Sequence, residues 1–172
     1  VMYLNVNEAY SKFNSDLARN EKNDCVVRSL AVASGSNYET AHTFCKEEFG
    51  RTDKRGTDNL NIVTQMLKYS ESGLKIGDKE LKVEILPKAR IKNVYKLRGE
   101  IIERQKTISS FIKDNPKGRF IVMVAKHALT IIDGEVFDWN GNKFKPTRKV
   151  QSAYMVEVKN DNNKQLNLFQ NV

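Results

Sequence analysis

The 172-residue chain carries 29 Lys and Arg against 21 Asp and Glu, a formal charge of +8, with 40% hydrophobic and 29% charged residues. That composition excludes disordered, collagen-like and disulfide-dense scaffolds, and the length suits one core that removes roughly 70% of the unfolded surface from water. The positive balance invites a phosphate partner, yet the lysines are mixed with acids, as in Lys46-Glu47-Glu48 and Asp78-Lys79-Glu80, and no block of five like charges occurs. A solvated Lys-rich surface is the simpler reading. No apolar run approaches the ~18 residues of a membrane span, and the start lacks the basic-then-apolar pattern of a secretion signal. The expectation is a soluble, cytoplasmic protein, in the host cytoplasm if viral, with one domain over residues 1–159 and a polar tail over 160–172. Two cysteines, Cys25 and Cys45, suit a reducing compartment.

In chain order, Tyr3, Val6, Tyr10 and Phe13 recur at helix-like spacing up to Leu17, and the polar stretch Arg19 to Asp24 then forms a loop. Val26, Val27, Leu30, Ala31 and Ala33 predict an almost wholly apolar helix over Cys25–Ser34, with Asp24 as N-cap and Gly35 as stop. Cys25 then falls in its first turn. The capping-box pattern Ser36-Asn37-Tyr38-Glu39 opens a second helix that buries Ala41, Phe44, Cys45 and Phe49 and ends at Gly50. Thr57 or Asp58 caps a third, with Leu60, Val63, Met66 and Leu67 inward, closing at Ser72-Gly73. Strict alternation over Leu81–Leu86 predicts a strand stopped by Pro87, and the basic segment Lys88–Arg98 has no clear pattern. Thr107 caps a short helix that ends at Asn115-Pro116. Two β-branched runs, Arg119–Ala125 and His127–Ile132, lead to Asp133-Gly134, a strong hairpin signal, and to Glu135–Trp139; Ala153–Val158 completes an antiparallel meander.

This order puts Cys25 at the start of a central helix and His127 at the start of a late strand. A thiol attacks only as thiolate, and a helix N-terminus or a neighbouring imidazole lowers its pKa. Asp24 is expected to turn its carboxylate onto backbone N–H groups rather than onto the thiol. With Asp133-Gly134 as a two-residue loop, Leu129 faces Asp138 and His127 faces Asn140. Asp138 lies diagonal to His127 at roughly 7 Å, so either Asp138 or Asn140 can orient the imidazole and leave its other nitrogen for Cys25. Each member alone has a plainer role: a cysteine opening an apolar helix is usually a small hydrophobe, and a strand histidine is usually structural. The combination is more specific, because His42 lies mid-helix beside a Cys45 with no capping position. Two cysteines and two histidines at these spacings imply no zinc site, and no organic cofactor is expected.

Asn23-Asp24-Cys25-Val26-Val27-Arg28-Ser29-Leu30-Ala31, with Ala33-Ser34-Gly35 and Tyr38, resembles the "DC-x-x-R-A-[ILV]" opening of small papain-like cysteine-peptidase domains encoded by tailed bacteriophages. Gly118-Arg119-Phe120-Ile121-Val122, His127-Ala128, Ile132-Asp133-Gly134 and Phe137-Asp138 are similar to the "GH-[AV]…DG…D" ending of that family. The order of these residues also resembles the bacteriocin-leader peptidase domains of ABC transporters. The likeness spans residues 19–158.

The resemblance implies a papain-like α+β fold, N-terminal helices with a central Cys-bearing helix packed on a C-terminal antiparallel sheet. It implies Cys25 as nucleophile, His127 as general base and Asp138 as orienting acid, acting on a peptide, isopeptide or Gln amide bond of a protein substrate. Two positions depart from the pattern. Arg19 stands where such enzymes place an oxyanion-hole Gln, with Asn20 and Asn23 as the nearby alternatives, and Lys126 replaces the Gly before the histidine. The rival function is a non-catalytic binder that engages a host protein or nucleic acid through basic patches such as Lys88, Arg90, Lys92, Lys96 and Arg98, or Lys143, Lys145, Arg148 and Lys149. Neither reading involves a membrane.

Overall fold

The computed structural model describes residues 6–7, 13–138 and 145–159. Val6–Asn7 forms a short strand, β1, where the sequence pattern predicted helix; the neighbouring residues of that expectation, the predicted tail over 160–172 and Asn140 lie outside the described residues. The first helix proper, α1 (Asp16–Asn20), starts at Ser15, whose hydroxyl accepts the Ala18 N–H. Only its last two residues, Arg19 and Asn20, fall in the stretch read as loop, and 21–24 are loop as expected.

Helix α2 (Cys25–Ser34) has the predicted limits, and Gly35 closes it in the left-handed conformation that a residue without Cβ adopts freely. Helix α3 (Tyr38–Phe49) begins one residue later than a Ser36 capping box requires: Asn37 is the cap, its side chain accepting from Thr40 N–H at 2.8 Å, while the Ser36 hydroxyl bonds to Ser34. Helix α4 (Asn59–Ser72) is capped by Asp58, which accepts from Leu60 N–H.

The inward face of α4 matches the prediction at Met66 and differs from it at Leu60 and Leu67. Ile62, Met66 and Tyr69 are buried, whereas Leu60 and Leu67 are 71% and 55% exposed. Both stripes repeat at helical spacing, so periodicity alone does not separate them. Tyr69 favours the observed face because its ring packs on Phe44 while its hydroxyl reaches Glu48 at 2.8 Å on the rim. Ile62→Ala is therefore expected to cost about 2–5 kcal/mol in urea unfolding, and Leu60→Ala to stay within about 0.5 kcal/mol.

The second half supplies most of the sheet. Strands β2 (Leu74–Ile76) and β3 (Lys79–Ile85) form a hairpin; the one-turn helix α5 (Lys88–Ile91) leads to a separate ribbon of β4 (Lys92–Leu97) and β5 (Glu100–Gln105). The ribbon resolves the segment that had no clear pattern, and its turn places Arg98 and Gly99 at positive φ. After α6 (Ile108–Asp114), capped by Thr107 as predicted, come β6 (Arg119–Val124), β7 (His127–Ile132), β8 (Glu135–Phe137) and β9 (Ser152–Val158). The main sheet runs β1-β8-β7-β6-β9-β3-β2, antiparallel except for the β1–β8 pair. The expected simple meander is thus corrected. β9 does not follow β8 but crosses back to lie between β6 and β3, since the outer edge of β8 is taken by β1.

Period-two alternation sorts the β6 side chains between two cores. Ile121 and Met123 join the cluster built from α2, α3 and α4, while Phe120, Val122 and Val124 join Phe111 and Ile108 of α6 on the other face. The fold is α+β, with α2 clamped to the sheet by Thr130 Oγ1 donating to Ser29 O at 2.7 Å and by Arg119 donating to Ala33 O at 2.8 Å. No helix among the described residues is long and apolar enough to cross a membrane.

Candidate active site

Cys25 is the first residue of α2 and is partly exposed, in the turn whose amides have no intrahelical acceptor. Asp24 occupies the N-cap position, but its carboxylate does not cap the helix as expected. Oδ2 instead accepts from Arg28 Nε at 2.8 Å and Tyr38 Oη at 2.7 Å, and Arg28 Nη2 donates to Ala18 O at 2.9 Å. Guanidinium and carboxylate are both buried, and Tyr38 and Phe13 flank the guanidinium with their rings. A carboxylate in that setting satisfies Arg28 better than a cap would, because a buried charge needs its partner more than a helix end needs one acceptor. Burial and the Asp24 bond push the Tyr38 hydroxyl far above its ordinary pKa, so it remains a donor. Asp24, Arg28 and Tyr38 of the motif thus hold the start of α2 against α3 and keep the Asp24 charge turned toward Arg28.

His127 opens β7, and the Asp133-Gly134 turn sets the predicted register, Ile132 opposite Glu135 and Thr130 opposite Phe137. Both turn residues have positive φ, and the Asp133 side chain accepts the Gly118 N–H at 2.9 Å. One step further along, Asp138 sits where its Oδ1 lies 2.8 Å from His127 Nε2, with the carboxylate 3% and the imidazole 12% exposed. Burial alone would lower the His127 pKa; the bonds to Asp138 and to Cys25 outweigh it and raise it to about 9. With Nε2 on the carboxylate, Nδ1 is the ring nitrogen left for the sulfur. The structure therefore brings together Cys25, His127 and Asp138.

The two proposed oxyanion donors fare differently. Asn20 does not line the cleft, and its amide donates to Asp16 O at 2.9 Å. Asn23 does line it, in a left-handed conformation with φ 53, but its amide is turned to Lys54 O at 3.1 Å. Asn20 is excluded by position. The cleft is lined by Cys25 itself, whose backbone N–H opens α2, and, from elements that sequence spacing did not connect to the site, by Asn59 and Gln151. Gln151 stands just before β9 and reaches the cleft only because that strand crosses back beside β6.

The cleft has a volume of about 840 Å³ and runs between the α1–α2 loop and the β6–β7 turn. Its floor is fixed from below by Glu21, which accepts from Arg51 Nη1 at 2.7 Å and Lys54 N–H at 2.8 Å and meets His42 Nε2 at 2.7 Å. Burial opposes the Glu21 charge, yet Arg51, His42 and Lys54 together hold its carboxyl below the ordinary value. A group with a lowered folded pKa stabilises above its unfolded value and loses that contribution as pH falls. Acid unfolding is therefore expected to set in below about pH 4.5 and to shift when Glu21 becomes Gln, which circular dichroism against pH will show. Glu21, His42 and Asp53 present ligand-type atoms within 4.8 Å of one another. Arg51 donates to the Glu21 oxygen that faces His42, so a guanidinium already fills the cationic role a metal would take.

Cys45 is fully buried on α3, and burial pushes its thiol up to about 12 despite Arg51 nearby. Comparison with protein-family models, with curated proteins and with solved structures finds no match.

Proposed function

We propose that the protein is a papain-like thiol hydrolase of the kind tailed phages encode, acting by acyl transfer on a peptide, isopeptide or Gln amide bond. The observation that carries this reading is His127 bonded at once to Asp138 and to Cys25, with the sulfur in the first turn of α2 at the mouth of a substrate-sized cleft. The Cys25 thiolate adds to the carbonyl carbon, and the Cys25 N–H faces the oxygen on which charge develops. The His127 imidazolium gives its proton to the leaving amine as the C–N bond breaks. Water then attacks the thioester, His127 takes its proton, and the acid departs with the thiolate restored. Asp138 holds the ring orientation and favours its protonated form.

Iodoacetamide at pH 7 followed by peptide mapping tests the reading. Cys25 is expected to be alkylated well before Cys45 and faster than a free thiol, and a p-nitrophenyl ester is expected to leave an acyl group on Cys25. Equal slowness at both cysteines overturns it.

A binding role has its own support in the β4–β5 ribbon. Four of the seven large apolar side chains left exposed among the described residues are there: Val94, Tyr95, Leu97 and Ile101. Lys92, Lys96 and Arg98 are interspersed with the first three of them. None of these residues lines the cleft, so such a surface serves a partner alongside the chemistry rather than in its place.

A further inference from the structure

Four cleft-lining side chains besides His127 carry charge: Glu21, Lys22, Asp24 and Lys126. The two carboxylates are spent on internal partners, Glu21 on Arg51 and the Lys54 amide, Asp24 on Arg28 and Tyr38, and both side chains are buried. Lys22 and Lys126 are exposed, one in the α1–α2 loop three residues before Cys25 and the other in the β6–β7 turn immediately before His127. No carboxylate of the described residues forms an ion pair with either ammonium. Among the described residues the exposed charge lining the cleft is therefore positive, and the imidazolium adds to it at neutral pH.

Lys126 carries a second indication. Val124 pairs with His127, so Ala125 and Lys126 make a two-residue turn, and Lys126 sits at φ 57. Any residue with a Cβ is strained there and glycine is not. A lysine held in that conformation at the lip of a reactive cleft is the kind of strain found where a side chain is needed.

Resting on the hydrolase reading, we propose that this cleft selects acidic peptides, with a carboxylate near the scissile bond seated between Lys22 and Lys126. The specificity is electrostatic: an acidic side chain is attracted by the two ammonium groups that line the cleft, whereas a neutral one gains nothing from them and a basic one is repelled. Nucleic acid is disfavoured as occupant because the groove ends on a thiol suited to an amide carbonyl and its apolar lining, among the described residues, is Val26, Met123 and Val124 rather than Phe, Tyr or Trp platforms.

The test compares iodoacetate with iodoacetamide, two alkylating agents of similar size that differ by one negative charge, on Cys25 of the full chain at pH 7 and low salt. The rate ratio of charged to neutral reagent is expected to fall about threefold or more in the Lys22→Gln, Lys126→Gly double variant. It is expected to fall likewise on adding 1 M salt to the unmodified chain, and to stay unchanged in Lys113→Gln, which removes a distant charge. Lys126→Gly relieves the strained turn, so loss of folding does not confound the result. A pair of hexapeptides differing only by Glu and Gln then tests the occupant, the Glu peptide being expected to protect Cys25 from iodoacetamide at lower concentration. A ratio indifferent to both lysines, or equal protection by the two peptides, or stronger protection by a single-stranded oligonucleotide, overturns the proposal. If Cys25 reacts no faster than a free thiol with either reagent, the hydrolase reading fails instead, and the ratio still reports the charge of the groove.

Discussion

In a His127→Ala variant, iodoacetamide is expected to alkylate Cys25 at pH 7 at least tenfold more slowly than in the unmodified chain, and peptide or ester turnover is expected to fall by three orders of magnitude or more. In the proposed mechanism the imidazole supplies the proton that the leaving amine requires, and its removal also takes away the group that the buried Asp138 carboxylate meets at 2.8 Å. Asp138→Asn isolates one part of this. Burial then acts against the His127 charge with less to oppose it, so the alkaline limit of turnover, expected near pH 9 with Asp138 in place, moves to lower pH. The same linkage affects stability. A histidine whose pKa is raised on folding stabilises fully below its unfolded value, about 6.5, and loses that contribution as pH rises through about 9. Melting temperature against pH will show a decline over that interval, and its flattening in Asp138→Asn assigns it to this pair.

Asp24→Ala is expected to cost about 3–5 kcal/mol in urea unfolding, because it leaves the Arg28 guanidinium buried without its carboxylate and takes the acceptor from Tyr38. Against a typical total of roughly 5–15 kcal/mol, that leaves a chain near its unfolding threshold. Tyr38→Phe removes only a hydrogen bond to a charged group and is expected to cost about 1.5–3 kcal/mol. A pairing of Arg28→Met with Asp24→Leu, which removes both charges and keeps apolar volume, is expected to recover much of the loss. A double variant no more stable than Asp24→Ala would show that the charges matter for more than each other.

Local chemistry made much of this legible beforehand. The Asp133-Gly134 turn requires positive φ at both positions, and that one dipeptide determined the β7–β8 register and with it the meeting of His127 and Asp138. Apolar density and a terminal glycine likewise defined α2 and put Cys25 at its start. What escaped depends on tertiary choice. The inward face of α4 was decided by a tyrosine hydroxyl finding Glu48, and the Asp24 side chain was claimed by Arg28 and Tyr38, the latter from a different helix. Lys88–Arg98 has little alternation because both faces of the β4–β5 ribbon are largely exposed, so no buried face writes a period into it. Gln151 and Asn59 reached the cleft through a crossing connection and a long loop, and chain spacing holds no record of either.

The position of β9 between β6 and β3 has a consequence for the moment of synthesis. A ribosome delivers β3 and β6 well before residues 152–158, so until the last strand emerges both present unpaired backbone edges, and the sheet that backs α2 stays in two pieces. A chain cut short upstream of Ser152 is then an aggregation hazard as well as an incomplete sheet. The surroundings of Cys25 are therefore complete only after residues 152–158 have emerged, well over a hundred residues behind the thiol itself.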